Sequence, residues 1–390
     1  MPRSRRPVLG RIALPFLERA LDGLEVGCLE VRLPSGERRL FGHGEPLRME
    51  VSDERLLSRI ATRGTIGLGE SYQAGEWRSD DLVGFFELLL GNAASGRRRH
   101  PHLTRFLQAR PRLNRRQGPL RARRNIEAHY DLGNELFQLM LDPSLTYSCA
   151  IFERDDEPLE DAQGRKLRRV CERLELREGD RVLEIGCGWG SFALVAASEF
   201  GARVTGLTIS PAQAWLARER VAAAGLTELI EIREEDYRLH RGRYDKVASI
   251  EMIEAIGERQ LPTFFAAIER FLGPGGRACV QSILVPDERW PRYRSTPDWI
   301  ERHVFPGCLI PSLGALRRAS RLPLEVAEEI GPHYATTLRR WRERFHASVA
   351  EVQRLGYDER FVRTWDFYLA FCEAAFRTRW LGDAQIVLGR

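Results

Sequence analysis

Residues 181–192 read Arg181-Val182-Leu183-Glu184-Ile185-Gly186-Cys187-Gly188-Trp189-Gly190-Ser191-Phe192. A short apolar strand runs past Glu184 into three glycines at alternate positions, and a helix-like segment, Ser191 to Phe200, follows. Glycines let the backbone turn sharply and let a ligand lie against bare peptide groups. Strand, glycine loop and helix in that order form the nucleotide crevice of a doubly wound sheet. The spacing G-C-G-W-G is not the G-x-G-x-x-G of dinucleotide enzymes, and no Gly-Lys-Ser/Thr follows to cradle phosphates. The acid Glu184, beside the first glycine, suits a ligand with a positive amino group, which points to S-adenosylmethionine (SAM).

Outward from this loop the chain keeps an α/β rhythm. Strands are expected at 181–185, 203–207, 229–232, 245–250 and 277–283, with helical patterns between them. The final Ala384–Leu388 reads as an edge strand. Leu338–Phe376 reads as helical, with Trp341, Phe345, Phe361, Trp365, Tyr368, Cys372 and Phe376 near helical spacing. Residues 284–333, rich in Pro, Arg and aromatics, read as an insertion over the carboxyl edge of the sheet. Upstream, Leu24–Leu33, Pro34-Ser35-Gly36 and Arg38–Phe41 read as a hairpin.

The 390 residues allow two to three domains, and 43% hydrophobic with 29% charged residues is a globular composition. No run approaches the ~20 apolar residues of a membrane span. The basic start, Met-Pro-Arg-Ser-Arg-Arg, lacks the apolar core of a signal peptide. Seven scattered cysteines with no C-x-x-C pair suggest neither zinc nor a disulfide framework, so a reducing cytoplasm and no metal are expected. Net charge is +5, unevenly placed: Leu88–Ile126 holds eleven arginines and not one Asp or Glu. Such a cluster suits phosphates of lipid or nucleic acid, and Phe85–Leu90 just before it would add an apolar anchor. A solvated linker without a partner is the alternative.

The stations after the loop fit the same ligand. Gly206-Leu207-Thr208-Ile209-Ser210-Pro211-Ala212-Gln213 follows the second strand without an acid, leaving Thr208 or Gln213 for ribose hydroxyls. Glu234-Glu235-Asp236-Tyr237 follows the third and can meet the adenine amino group. The fourth strand ends in Ser249-Ile250-Glu251-Met252-Ile253-Glu254.

Longer motifs discriminate further. His129-Tyr130-Asp131-Leu132-Gly133-Asn134 and Tyr147-Ser148-Cys149-Ala150 lie upstream. Phe305-Pro306-Gly307-Cys308 and Tyr334-Ala335-Thr336-Thr337-Leu338 lie downstream, and Gly67-Leu68-Gly69-Glu70-Ser71-Tyr72 through Trp77 lies near the start. Over roughly residues 60–390 the chain resembles the cyclopropane-fatty-acyl-phospholipid synthases and their mycolic-acid relatives. The resemblance implies a Rossmann-like class I methyltransferase fold, an α/β doubly wound sheet with a smaller N-terminal domain. It implies residues 1–92 as that domain, for lipid binding or dimerisation, 93–125 as an Arg-rich linker and 126–390 as the catalytic domain. SAM would be held by Tyr147, Ser148, Glu184, Gly186, Gly188, Gly190, Leu207, Thr208, Gln213, Asp236 and Tyr237.

The implied reaction adds a methylene group to a cis double bond of a phospholipid acyl chain. The implied base is a bound bicarbonate at Cys149, Glu254, Ile283 and Tyr334, with Cys149 acting through its backbone rather than as a nucleophile. Many bacterial members have a His at the positions of Ala255 and Gln281; this chain is closer to the plant-type branch there. The expected setting is the inner face of an anionic membrane, with peripheral attachment and a homodimer as the family's assembly. A C-methyltransferase making methylene or methyl branches, and a non-catalytic lipid- or SAM-binding relative, are the alternatives. A nucleic-acid enzyme should carry an Asn/Asp-Pro-Pro-Tyr-like or Cys-nucleophile signature after the fourth strand, and neither is present, so no nucleic-acid partner is expected.

Overall fold

The computed structural model describes residue 18 and residues 21–95 and 132–389. Residues 96–125 of the Arg-rich linker and His129-Tyr130-Asp131 therefore lie outside the described residues, and residues 93–95 close the helix Leu82–Ser95. The chain forms two compact units, each built from separated segments.

The first unit comprises Met1–Arg112, Ser295–Val304 and Val349–Trp380. Its sheet has strands β1 (Cys28–Arg32), β2 (Arg38–Gly42), β3 (Pro46–Val51) and β4 (Trp77–Ser79) in the order β2-β1-β3-β4. β1 and β2 make the hairpin expected from the sequence. Trp77 is completely buried; its indole N–H donates to Leu68 O and Ser71 Oγ, and its ring meets Tyr72 and Phe85. The glycines of Gly67-Leu68-Gly69 have a packing reason. A Cβ on Gly67 would stand 2.1 Å from Arg59 O, and one on Gly69 would stand 2.4 Å from the Trp299 ring.

Phe85 and Phe86 belong to this same core, 2% and 3% exposed, against Trp77, Phe367 and Phe371. The expectation that Phe85–Leu90 anchors the protein in a bilayer is thereby corrected. In the helix Leu82–Ser95, Phe85, Phe86, Leu88 and Leu90 of this run are buried, and Glu87 and Leu89 are partly buried.

The second unit comprises Leu113–Arg294, Phe305–Ser348 and Leu381–Arg390. Its sheet uses β5 (Arg181–Ile185), β6 (Arg203–Thr208), β7 (Ile230–Glu234), β8 (Tyr244–Ile250), β9 (Leu272–Leu284), β10 (Leu324–Glu329) and β11 (Gly382–Gly389). The order is β10-β11-β9-β8-β5-β6-β7, with β5 to β9 parallel. Successive side chains of a strand face opposite sides. Thus Leu183, Val247 and Val280 join a core with Phe264, Ile268 and Phe271, while Val182, Ala248 and Cys279 join one with Leu167, Phe192 and Val204. Covering on both faces explains the unbroken apolar runs of the central strands.

Two element expectations need correction. Ala384–Leu388 lies in an inner strand: β11 pairs with β9 on one side and β10 on the other. β10 comes from within the region read as an insertion; its Leu-Glu-Val-Ala-Glu-Glu carries three acids and gives a weak apolar signal. Leu338–Phe376 is not continuous. The helix Gly331–Ala347 stops, Val349–Arg354 forms a separate short helix, Gly356 takes φ 99°, and Asp358 caps a third helix, Glu359–Arg377, by accepting from Phe361 N–H. No helix among the described residues is long and apolar enough to cross a membrane.

Candidate active site

The chain leaves β5 towards β6 and β7 on one side, then returns to β8 on the other. This reversal opens a crevice at the carboxyl ends of β5 and β8, where doubly wound sheets bind ligands. The glycine loop occupies it. Gly186, Gly188 and Gly190 all take positive φ (83°, 52° and 82°), which an L side chain would resist. The Leu207 carbonyl at the end of β6 accepts from Gly186 and Cys187 N–H, so the loop is held by the neighbouring strand. Asn134, the last residue of the His129–Asn134 motif, accepts from Trp189 Nε1 at 2.9 Å and donates to Ala212 O, tying the loop to the helix Pro211–Ala223.

Glu184 is buried with one carboxyl oxygen lacking any partner, and burial pushes its pKa well above the usual range. An orphaned acid beside a bare-backbone loop fits the amino-acid end of SAM. Thr208 donates to Gln213 Oε1 at 2.9 Å, so the two ribose candidates form one unit after β6. After β7, burial would raise the Asp236 carboxyl, but two hydrogen bonds from the Arg238 side chain prevail and hold it below the usual range. Tyr237 is buried with its hydroxyl unpartnered, and burial pushes it up to about 12. The candidates for each part of SAM thus lie in series along one sheet edge.

The extended segment carrying Tyr147, Ser148 and Cys149 runs between two helices. Ala150 N–H donates to Thr337 Oγ1 in Gly331–Ala347, and Gln163 in Leu159–Leu174 donates to Ser148 O. Ser148 Oγ accepts from Lys166, a completely buried cation. The Tyr147 ring packs among Phe137, Phe305 and Trp341, and Trp341 meets Tyr334. This gives an aromatic wall.

Cys149, Gln281 and Tyr334 converge on Glu251, a residue given no role from the sequence, and Glu254 and Ile283 pair with each other. Cys149 N–H and the Gln281 amide each donate to Glu251 Oε1 at 2.8 Å, and the Tyr334 hydroxyl donates to Glu251 Oε2 at 2.6 Å. Glu254 accepts from Ser282 Oγ and Ile283 N–H through one oxygen, while the other is buried without a partner. Burial, with the nearby Glu251 charge second, pushes Glu254 up to about 8. Burial also raises the Cys149 thiol well above its ordinary value, so it stays protonated.

Three further residues were not picked out from the sequence. Lys166 sits amid the acids, and Gln385 donates to Gln281 Oε1. Asp383 is buried with neither carboxyl oxygen partnered, and burial first, then the charge of Glu251, pushes its pKa well above the usual range. β11 carries Asp383 and Gln385 opposite Ile283 and Gln281 of β9, a pairing only strand register can disclose. Bicarbonate does not fit this arrangement: the N–H, amide and hydroxyl that would hold it are taken by the Glu251 carboxylate.

Comparison with known proteins gives a consistent result. The mycolic acid cyclopropane synthetase family matches residues 117–386. The chain is 41% identical over 385 residues to tuberculostearic acid methyltransferase UfaA1 of Mycobacterium tuberculosis, covering 95% of this chain and 86% of that one. It is 36% identical over 347 residues to the cyclopropane-fatty-acyl-phospholipid synthase of Escherichia coli, covering 88% of each. Mycolic acid cyclopropane synthase CmaA1, solved with SAH and CTAB, superposes with a TM-score of 0.64 at 29% identity, over 69% of this chain and 98% of that chain.

Proposed function

The chain belongs to the mycolic acid cyclopropane synthetase family, a SAM-dependent enzyme acting on lipid acyl chains, and from that premise we propose that it builds cyclopropane rings on the cis double bonds of membrane phospholipids. SAM supplies an electrophilic methyl group on a sulfonium. The residues that would hold it are the Gly186–Gly190 loop with Glu184, Leu207, Thr208 with Gln213, and Asp236 with Tyr237; Tyr147 and Ser148 would line its reactive end. The alkene attacks the methyl carbon, a cation forms on the acyl chain, and loss of a proton closes the ring. The rings of Tyr147, Phe137, Trp341 and Tyr334 would keep water out and face the cation.

One observation carries ring closure. A Cβ on Gly186 would lie 2.6 Å from the Met252 side chain, so the turn bearing Glu251 and Glu254 abuts the glycine loop. A base placed beside the point of methyl delivery would favour removal of the proton from the new methyl group, which would give a ring. Bicarbonate is left out of the reading because its donors are engaged. The anionic, cytoplasmic membrane face as the site of attachment, through the arginines of 93–125, and a homodimer complete the proposal.

A second reading is favoured by the name of the relative at 41% identity: methyl transfer giving a methylene or methyl branch. The test is mass spectrometry of phospholipid acyl chains from cells expressing the protein and fed methyl-labelled methionine. A labelled CH2 gained, with a cyclopropane fragmentation pattern, is expected. A labelled branch selects the second reading, and no labelled lipid refutes both.

A further inference from the structure

Glu251 occupies a built seat. Its three donors come from separate places: the segment around Cys149, the strand β9 and the helix Gly331–Ala347. All three donor residues are buried, at 0%, 0% and 6% exposure, whereas Glu251 itself is partly exposed. A buried donor left without an acceptor costs about 1–3 kcal/mol, so this trio is arranged for an anion. Glu251 reaches it from a left-handed backbone, φ 49°, directly after β8, a conformation costing a non-glycine residue about 1 kcal/mol. Strain of this kind persists where surrounding contacts fix the residue. Charged and titratable groups close the seat: Asp383 from β11, Glu254 from the following turn, and Lys166 from the helix Leu159–Leu174.

We propose that Glu251 is the general base of this enzyme, so that proton removal needs no bound bicarbonate. The proposal rests on the reading that a sulfonium alkylates an acyl double bond. In balanced form, the alkene π pair makes the first bond to the methyl carbon as the carbon–sulfur pair withdraws to sulfur, leaving a thioether. The chain then carries a cation on the other alkene carbon. A Glu251 oxygen takes one proton from the new methyl group, and the freed C–H pair makes the last ring bond. One positive charge and one carboxylate are consumed, and a carboxylic acid and an uncharged cyclopropane on the acyl chain remain. The acid returns its proton to solvent before the next turnover. The three donors also keep the carboxylate oxygens in place between turnovers.

The test uses the purified full chain, methyl-labelled SAM and vesicles of dioleoyl phosphatidylglycerol, in buffer stripped of carbon dioxide and in the same buffer with bicarbonate. Wild type is expected to turn over equally in both. E251Q, nearly isosteric, should lose at least about 100-fold in both. E251G relieves the left-handed backbone and opens the seat; it should be inactive in stripped buffer and recover with bicarbonate or acetate. Calorimetric titration with bicarbonate gives a readout free of turnover: wild type should show no saturable heat, and E251G should show it. Equal SAH affinity of all three proteins certifies folding. Wild-type turnover that requires bicarbonate, saturable bicarbonate binding by wild type, or E251Q within threefold of wild type overturns the proposal. If wild type labels no lipid in either buffer, the substrate reading fails instead, and the calorimetric pair still decides whether Glu251 fills the seat.

Discussion

Glu254→Gln isolates the electrostatics of the buried acids. Glu254 is buried, and its pKa is pushed up to about 8 against an ordinary 4.5, because burial penalises the anion and Glu251 repels it. An acid whose pKa is raised on folding adds stability that is complete below its unfolded pKa and is lost as pH rises through the folded one. Between pH 5 and pH 8 the unfolded chain releases this proton and the folded chain largely keeps it. The linkage relation puts the loss at about 3 kcal/mol over that window. Gln copies the protonated form, since its carbonyl can accept from Ser282 Oγ and Ile283 N–H as Glu254 does. Guanidinium unfolding at pH 5, 6, 7 and 8 should show wild type losing stability relative to E254Q by that amount, with equal m-values. Parallel pH curves would refute the claim that this site stores a proton at neutral pH.

Three further outcomes follow from the contacts. Tyr334→Phe removes the hydroxyl that donates to Glu251 Oε2; a hydrogen bond to a charged group contributes about 1.5–3 kcal/mol, so turnover should fall roughly 10- to 150-fold with SAM affinity unchanged. Gly69→Ala places a methyl against Trp299 and should cost about 1–3 kcal/mol, seen as a lowered Tm; Gly91→Ala, where a Cβ meets nothing within 4 Å, should not lower it. Iodoacetamide on the native protein at pH 8 should label Cys308, the one cysteine not buried, well before Cys149, read by peptide mass spectrometry; equal labelling would contradict the buried, protonated thiol.

The parallel strands and glycine loop were legible because their signals are local. Strand 181–185 ends where its apolar run ends, and 244–250 and 203–208 were expected within one residue. Cys149, Gln281 and Tyr334 could be singled out only through the motifs around them, since nothing local distinguishes a functional Cys from a core one. Glu251 stood in plain view at the end of a strand, where acids commonly serve as caps. Its meaning lies in partners 102, 30 and 83 residues away. Asp383 and Gln385 were hidden for a related reason: a polar pair inside an apolar final strand gains significance only once β9 is known to lie beside it. The break after Ala347 was signalled by Gly356 and Asp358, but the aromatic spacing on both sides outweighed it.

The first unit has a consequence for how the protein is made. Its core joins Tyr72 to Asp366 and Gln73 to Thr364, partners 294 and 291 residues apart, and it takes in Trp299 beside Phe367. Long-range closure of this kind is slow, because loop entropy must be spent before any contact forms. The unit cannot mature as an N-terminal domain during synthesis: Tyr72 and Phe86 leave the ribosome with the helix that packs on them, Glu359–Arg377, not yet translated. Throughout that interval they present sticky apolar surface, and the nascent chain is a natural client for chaperones. Slowed translation or chaperone depletion should therefore lower the soluble yield more steeply than a global stability loss of similar size would.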